Sequence, residues 1–233
     1  MSNSAPLLPT LQALLPPSHL QPLLTSLSLR SLHSTKHRHT DAIYINSQPV
    51  VPGQQRHLRL RSISHKPKDK QTKTEIEITG EQDEEEERYS LSYISMPLQG
   101  REYAGMDVRA CLGVEVEGYT GSEEIDEFIT LLGFQKSHSF TLSGYRFHLA
   151  IPLPSSSPIT LHLTVARLLE STAGGQQQSS PEKTSEPYLV QLQPSRPVPA
   201  VGSLGVIGLQ DMMRVMQEVA ARIDGVDWST RKT

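Results

Sequence analysis

A single cysteine, Cys111, occurs in the 233 residues, so no disulfide can form within the chain and no site can rest on paired thiolates. That usage fits a reducing compartment such as the cytosol or nucleus. No stretch approaches the ~20 consecutive apolar residues of a membrane-crossing helix. Met1 to Pro9 contain neither Lys nor Arg, so the leucines beyond them lack the positive flank of a secretory leader. Also missing are a Gly-x-Ser-x-Gly elbow, a Gly-rich phosphate loop ahead of a helix, and a His-Glu-x-x-His pair. The best-known short carriers of hydrolytic and nucleotide chemistry are therefore absent from the sequence.

With 36% hydrophobic and 20% charged residues, the sequence reads as a soluble chain with enough apolar content for one folded domain spanning 1–233. Its net charge of −3 hides strong polarisation. Residues 30–73 hold ten basic and two acidic side chains, whereas 74–127 hold three basic and sixteen acidic. Much of this lies in Lys66–Lys73 (KPKDKQTK) and Glu81–Glu87 (EQDEEEE), which bury almost nothing and cannot offset the entropy of ordering. Disordered loops are expected at 66–87 and again at 171–186 (STAGGQQQSSPEKTSE).

Between these tracts the dominant period is two. Strands are expected at Ala42–Asn46, Arg56–Ser64, Tyr89–Met96, Asp107–Glu117, Phe134–Leu142, Gly144–Ile151, Ile159–Val165 and Tyr188–Leu192, with Ser143-Gly144 as a tight turn joining two of them. Helical spacing occurs three times. Ser18 is placed to cap a helix carrying Leu20, Leu23, Leu24 and Leu27, and Pro22 lies in its first turn. Ser122 begins the second, with acids at its positive end, an Ile125, Phe128, Ile129 and Leu132 stripe, and Gly133 as the left-handed stop. Met212, Met213, Met216, Val219, Ala220 and Ile223 mark the third, whose methionines fill a core or form an adaptable partner surface. Many strands, few helices and long polar loops predict a mainly β fold: an antiparallel barrel filled inside by aliphatic groups.

Candidate chemistry is sparse. Glu75-Ile76-Glu77 and Glu115-Val116-Glu117 each project two carboxylates from one strand face, a pattern able to hold Mg²⁺ or Mn²⁺. Tunnel-shaped triphosphatases begin with Glu-x-Glu-x-Lys, but the fifth position here is Thr79 or Tyr119, and residues 134–192 offer only Lys136, Arg146 and Arg167 as strand cations. The solvated-face reading of these acids is preferred to the metal reading. His33, His37 and His39 could share a metal, with Asp41 as the local carboxylate. Their place after a helix end, where its dipole favours cationic imidazoles together with Lys36 and Arg38, is the preferred reading over a metal site. Cys111 reads as an inert mid-strand thiol. The basic stretch Arg56–Lys73 lacks interleaved aromatics and is followed closely by acids, so direct nucleic-acid binding is disfavoured. No catalytic, cofactor-binding or metal residue is assigned.

The order of elements resembles subunit 18 of the Mediator complex. The resemblance runs from Val108 through the capped helix to Leu132-Gly133-Phe134, then Phe140, Gly144-Tyr145-Arg146-Phe147 and Val165-Ala166-Arg167-Leu168-Leu169. It continues in Pro187-Tyr188-Leu189-Val190-Gln191-Leu192 and the C-terminal helix. It implies a single-domain antiparallel barrel in the Mediator head module, in the nucleus. It also implies pairing with subunit 20, a tethering helix from subunit 8, and a non-enzymatic part in relaying regulatory signals to RNA polymerase II. The rival from another class is a metal-dependent triphosphatase on the same kind of barrel. One departure stands out: family members open with an apolar strand, and Leu7–Leu15 (LLPTLQALL) contains Pro9, which reads poorly as a strand and leaves barrel closure open at that edge.

Overall fold

The computed structural model describes residues 5–46, 57–64, 87–116, 122–153, 156–170 and 186–228. Its strands are β1 (Leu7–Leu15), β2 (His33–Asn46), β3 (His57–Ser64), β4 (Glu87–Ile94), β5 (Asp107–Val116), β6 (Phe134–Leu153), β7 (Ser156–Glu170) and β8 (Tyr188–Pro194). The helices are α1 (Leu20–Arg30), α2 (Ser122–Leu131) and α3 (Leu209–Ala221). The strands form a closed barrel in the order β1-β5-β4-β3-β2-β6-β7-β8, every pairing antiparallel. The mainly β class, the closed antiparallel barrel and the three helices match the sequence expectation. Apart from Glu87 and Glu186, the charged and polar tracts expected as loops lie outside the described residues.

Closure depends on the segment that reads worst as a strand. β1 pairs with β5 from Leu7 to Thr10 and with β8 from Leu11 to Leu15, so it bridges the two ends of the sheet. The Leu7 amide donates to the Val198 carbonyl at 2.8 Å, which directs that residue's backbone groups away from β5. Pro9, two residues on, points the same way, and β8 begins to pair only at Leu11. The missing amide therefore costs no ladder bond.

The Ser143-Gly144 turn does not form. β6 runs unbroken through it, pairing with β2 on one side and β7 on the other. Gly144 serves close approach instead: a Cβ there would sit 2.1 Å from the Val165 carbonyl oxygen. β2 is likewise longer than expected, starting at His33 and taking in the histidine cluster. Ser18 is not a cap; it falls in a 3-10 turn, Pro17–His19, and His19 precedes α1 without a side-chain cap bond.

Helix α2 follows its sequence signals. Glu123 and Glu124 occupy its first turn, Ile125 and Ile129 are buried, and Gly133 takes φ +85° just past its end. Those two isoleucines pack on Ala42, Tyr44, Leu60 and Tyr89 of β2, β3 and β4. The Tyr44 hydroxyl donates to the Asp126 carboxylate, and Lys136 Nζ reaches the same group at 3.2 Å. A larger apolar layer joins Leu23 and Leu27 of α1 and Met212, Met213 and Met216 of α3 to Leu7, Leu11, Phe147, Leu149, Leu161, Leu163, Val190 and Leu192. The methionines therefore fill a core. Arg30 Nη1 donates to the Arg222 carbonyl at 2.8 Å, tying α1 to the end of α3.

Gly144→Ala places a methyl group against β7 backbone that cannot swing aside. It should lower the stability measured by urea unfolding by about 2 kcal/mol, in the range of over-packed cores. An unchanged midpoint would show that β6 and β7 are not pressed together there.

Candidate functional site

An eight-stranded barrel encloses a space just wide enough for side chains, so the apolar strand faces that carry α1, α2 and α3 are its outside. Alternation then sends the remaining residues into the lumen. The cross-strand registers place Asp41 beside Arg61, Arg61 beside Ser90, Arg59 beside Ser92, and Arg146 beside Thr164. Gln191 and Gln12 continue this polar ring through β8 and β1. Around Asp41 the lumen is thus polar and charged, with Leu142 and Phe140 opposite His39 and Asp41 on the same face, where the sequence pattern had implied aliphatic filling throughout. Leu58 and Leu60 face α2, and Arg59 and Arg61 between them point inward.

Asp41 is the centre of the cluster, with only 2% of its surface exposed. Arg61 binds it through both ends of its fork: Nε to Oδ1 at 2.7 Å and Nη2 to Oδ2 at 2.7 Å. Arg59 Nη1 stands 4.0 Å from Oδ2, and His39 Nε2 stands 3.7 Å from the same oxygen. Arg146 on the opposite neighbouring strand turns its Nη2 to His37 Nε2 at 2.6 Å and its Nε to Thr164 Oγ1 at 3.5 Å. The rings of His37 and His39 lie 4.5 Å apart. Further along, Arg109 Nε binds Asp107 at 3.1 Å. His33, His148 and His162 form a row, their rings 3.9 and 4.5 Å apart.

This crowding fixes the protonation states. Burial, then the charges of Arg146 and Arg61 respectively, pushes the His37 and His39 pKa values down to about 3, so both imidazoles are neutral near pH 7. They are strand residues held uncharged, rather than cations drawn to a helix end. Burial alone would raise the Asp41 pKa, but the hydrogen bonds and charge of Arg61, with Arg59 behind it, hold it below the usual carboxylate range. Burial and Arg61 lower Arg146 to about 10, and the same two causes lower Arg59.

The sequence-derived candidates separate accordingly. Among the described residues no three His, Cys, Asp or Glu side chains are disposed to share a metal ion. Glu75, Glu77 and Glu117 lie outside those residues, and Glu115 occupies an exposed luminal position opposite Ser90. Of the three strand cations, only Arg146 enters the lumen. Lys136 binds Asp126 outside the barrel, and the Arg167 guanidinium stacks 4.7 Å from the Tyr188 ring. Cys111 is buried at a luminal position, with Arg59 and Arg109 within electrostatic range of one another. Arg59 and Arg61 were missed because a Leu-Arg-Leu-Arg strand does not reveal which face meets a helix.

No family model matches the chain, and no curated protein is similar to it in sequence. The fold has counterparts among solved structures. The Mediator head module of Schizosaccharomyces pombe contains a chain that superposes with TM-score 0.56 at 14% identity, covering 94% of this chain and 98% of that one. A Pyrococcus horikoshii OT3 protein gives 0.52 at 8% identity, covering 94% and 91%. A Vibrio parahaemolyticus protein proposed to be an adenylate cyclase gives 0.50 at 10% identity, covering 99% and 95%. At these identities the likeness is one of fold, and fold alone does not carry function.

Asp41→Asn keeps the shape and removes the charge that Arg61 and Arg59 share. Leaving guanidiniums buried without their counter-ion should cost about 3 kcal/mol or more in urea unfolding. A loss below about 1 kcal/mol would mean that the lumen is wet enough to solvate them.

Proposed function

We propose that this chain is a non-enzymatic structural subunit of a Mediator head-type assembly. The observation that carries this reading is the end-to-end superposition on a chain of the S. pombe Mediator head, covering nearly all of both molecules. The sequence resemblance to subunit 18 points the same way, and supplies the finer expectations of a subunit 20 partner, a subunit 8 tether and a nuclear location. Two features of the barrel add support. Among the described residues, its buried luminal carboxylates are engaged by arginines, Asp41 by Arg61 and Asp107 by Arg109, so these two are poor ligands for a catalytic cation. Its outside also carries large apolar side chains more than two-thirds exposed, at Leu29, Leu32, Leu131, Val201 and Leu204, which contacts with other chains would cover.

The second reading is a metal-dependent triphosphatase, favoured by one observation: the lumen holds several arginines, as a site for polyphosphate would. The two differ in what they predict. Tagged protein in nuclear extract should recover subunits 8 and 20, and the purified chain with Mg²⁺ or Mn²⁺ should release no phosphate from tripolyphosphate. Recovery of neither subunit, together with metal-dependent phosphate release abolished by Glu75→Ala or Glu77→Ala, would replace the first reading by the second.

A further inference from the structure

A groove of about 330 Å³ opens between α1 and the outer wall of the barrel. Leu20 and Leu24 of α1 line it together with Ser143 and Tyr145 of β6, Arg167 of β7 and Tyr188 of β8. The register explains why these strand residues meet. Ser143 pairs with Arg167 and Tyr145 with Val165, which in turn pairs with Val190, two residues beyond Tyr188. All four therefore project from the outward face, on the other side of the wall from Asp41.

Arg167 is the one charged side chain among the residues lining the groove. Its guanidinium lies over the Tyr188 ring, 4.7 Å from the centroid, so an aromatic surface covers one face of the fork. Stacking does nothing for the N–H groups at its edge. The buried Nε has no hydrogen-bond partner, and among the described residues no carboxylate pairs with Arg167. A guanidinium N–H buried without an acceptor costs free energy, which an oxygen from another molecule would recover.

Around this charge the groove is largely apolar. Tyr145 leaves 41% of its surface exposed, and Leu20 and Leu24 are only partly buried. One fork set among aliphatic and aromatic groups matches an acidic side chain with an apolar neighbour. The carboxylate can take two parallel N–H···O bonds from the fork, while the neighbour covers exposed carbon. A phosphoryl group is the poorer match, because it brings close to two negative charges to a single cation. The volume is at the small end of ligand pockets, which run from about 300 to 1,000 Å³, and so suits a few side chains of a peptide.

We propose that this groove docks a short segment of another protein in which an Asp or Glu stands beside an aliphatic residue, with the carboxylate on Arg167 and the aliphatic group against Leu24 and Tyr145. This goes beyond the assembly reading above and does not rest on it, since the groove and its arginine are the same whatever else the outer face carries.

The test is NMR titration of the isotope-labelled full chain with three capped tripeptides: Leu-Glu-Leu, Leu-Gln-Leu and Leu-phosphoserine-Leu. The amide signals of Leu24, Tyr145 and Tyr188 should shift saturably with the glutamate peptide, less readily as salt is added, and the glutamine peptide should bind about tenfold more weakly, as loss of a charge-assisted hydrogen bond predicts. That comparison depends on no variant's folding. Arg167→Met should weaken the glutamate peptide by about the same factor and leave the urea midpoint unchanged, whereas Arg167→Lys, which keeps the charge and loses the fork, should weaken it less. Arg214→Met, on the exposed face of α3, should have no effect. Absence of saturable shifts, equal binding of the glutamate and glutamine peptides, or tightest binding of the phosphoserine peptide would overturn the proposal. So would shifts of the same signals with protein concentration alone, because the occupant would then be a second copy of this chain.

Discussion

The interior of this barrel is organised by one ion pair. Asp41 on β2 takes both ends of the Arg61 fork from β3, in a place that neither charge would occupy alone. That pair sets the environment of what surrounds it. Arg59 is held near the same carboxylate, His39 is pressed against it, and Arg146 is turned toward His37. The neutral state of both imidazoles follows from burial among guanidiniums, and the low pKa of Asp41 follows from being their shared counter-charge. The residues come from three adjacent strands, β3, β2 and β6, whose registers bring these positions together on one face.

A charged lumen requires that apolar burial occur elsewhere. It lies between the outer wall and the helices, in one layer under α1 and α3 and a smaller one under α2. The barrel is thus the middle of the molecule and not its core, and its strands are sandwiched between polar contents and an apolar coat. This explains why the helices are needed although few: without α3, whose methionines are almost fully buried, the outer faces of β1 and β8 would meet water. It also explains how a barrel wall can present apolar side chains such as Leu112 and Val114 outward without disturbing what it encloses.

Strand positions and the α2 boundaries were legible because alternation, capping acids and a terminal glycine are local signals. The direction of each face was not. Leu58-Arg59-Leu60-Arg61 alternates equally well whichever side is inward, and only the packing of Ile125 and Ile129 on Leu60 decides it. The β1 strand was hidden by Pro9, whose missing amide is harmless only because β8 pairing starts two residues later. The break expected at Gly144 was a glycine used for close approach to Val165, which has the same sequence signature as a turn. The histidines were visible as a cluster, but their neutrality depends on Arg61 and Arg146, which are distant in sequence.

Among the described residues, the cluster around Asp41 holds more guanidiniums than carboxylates, and the apolar burial of the barrel lies on its other face. Both depend on the claim that His37 and His39 lie inside, among guanidiniums and away from solvent. NMR titration of the imidazole carbons reads this directly. If the lumen is as described, these two signals stay at their neutral positions down to about pH 4, far below the 6.5 of an imidazole free in water. If His37 and His39 titrate near 6.5 instead, they face water, and the buried charge cluster on which this account rests does not exist.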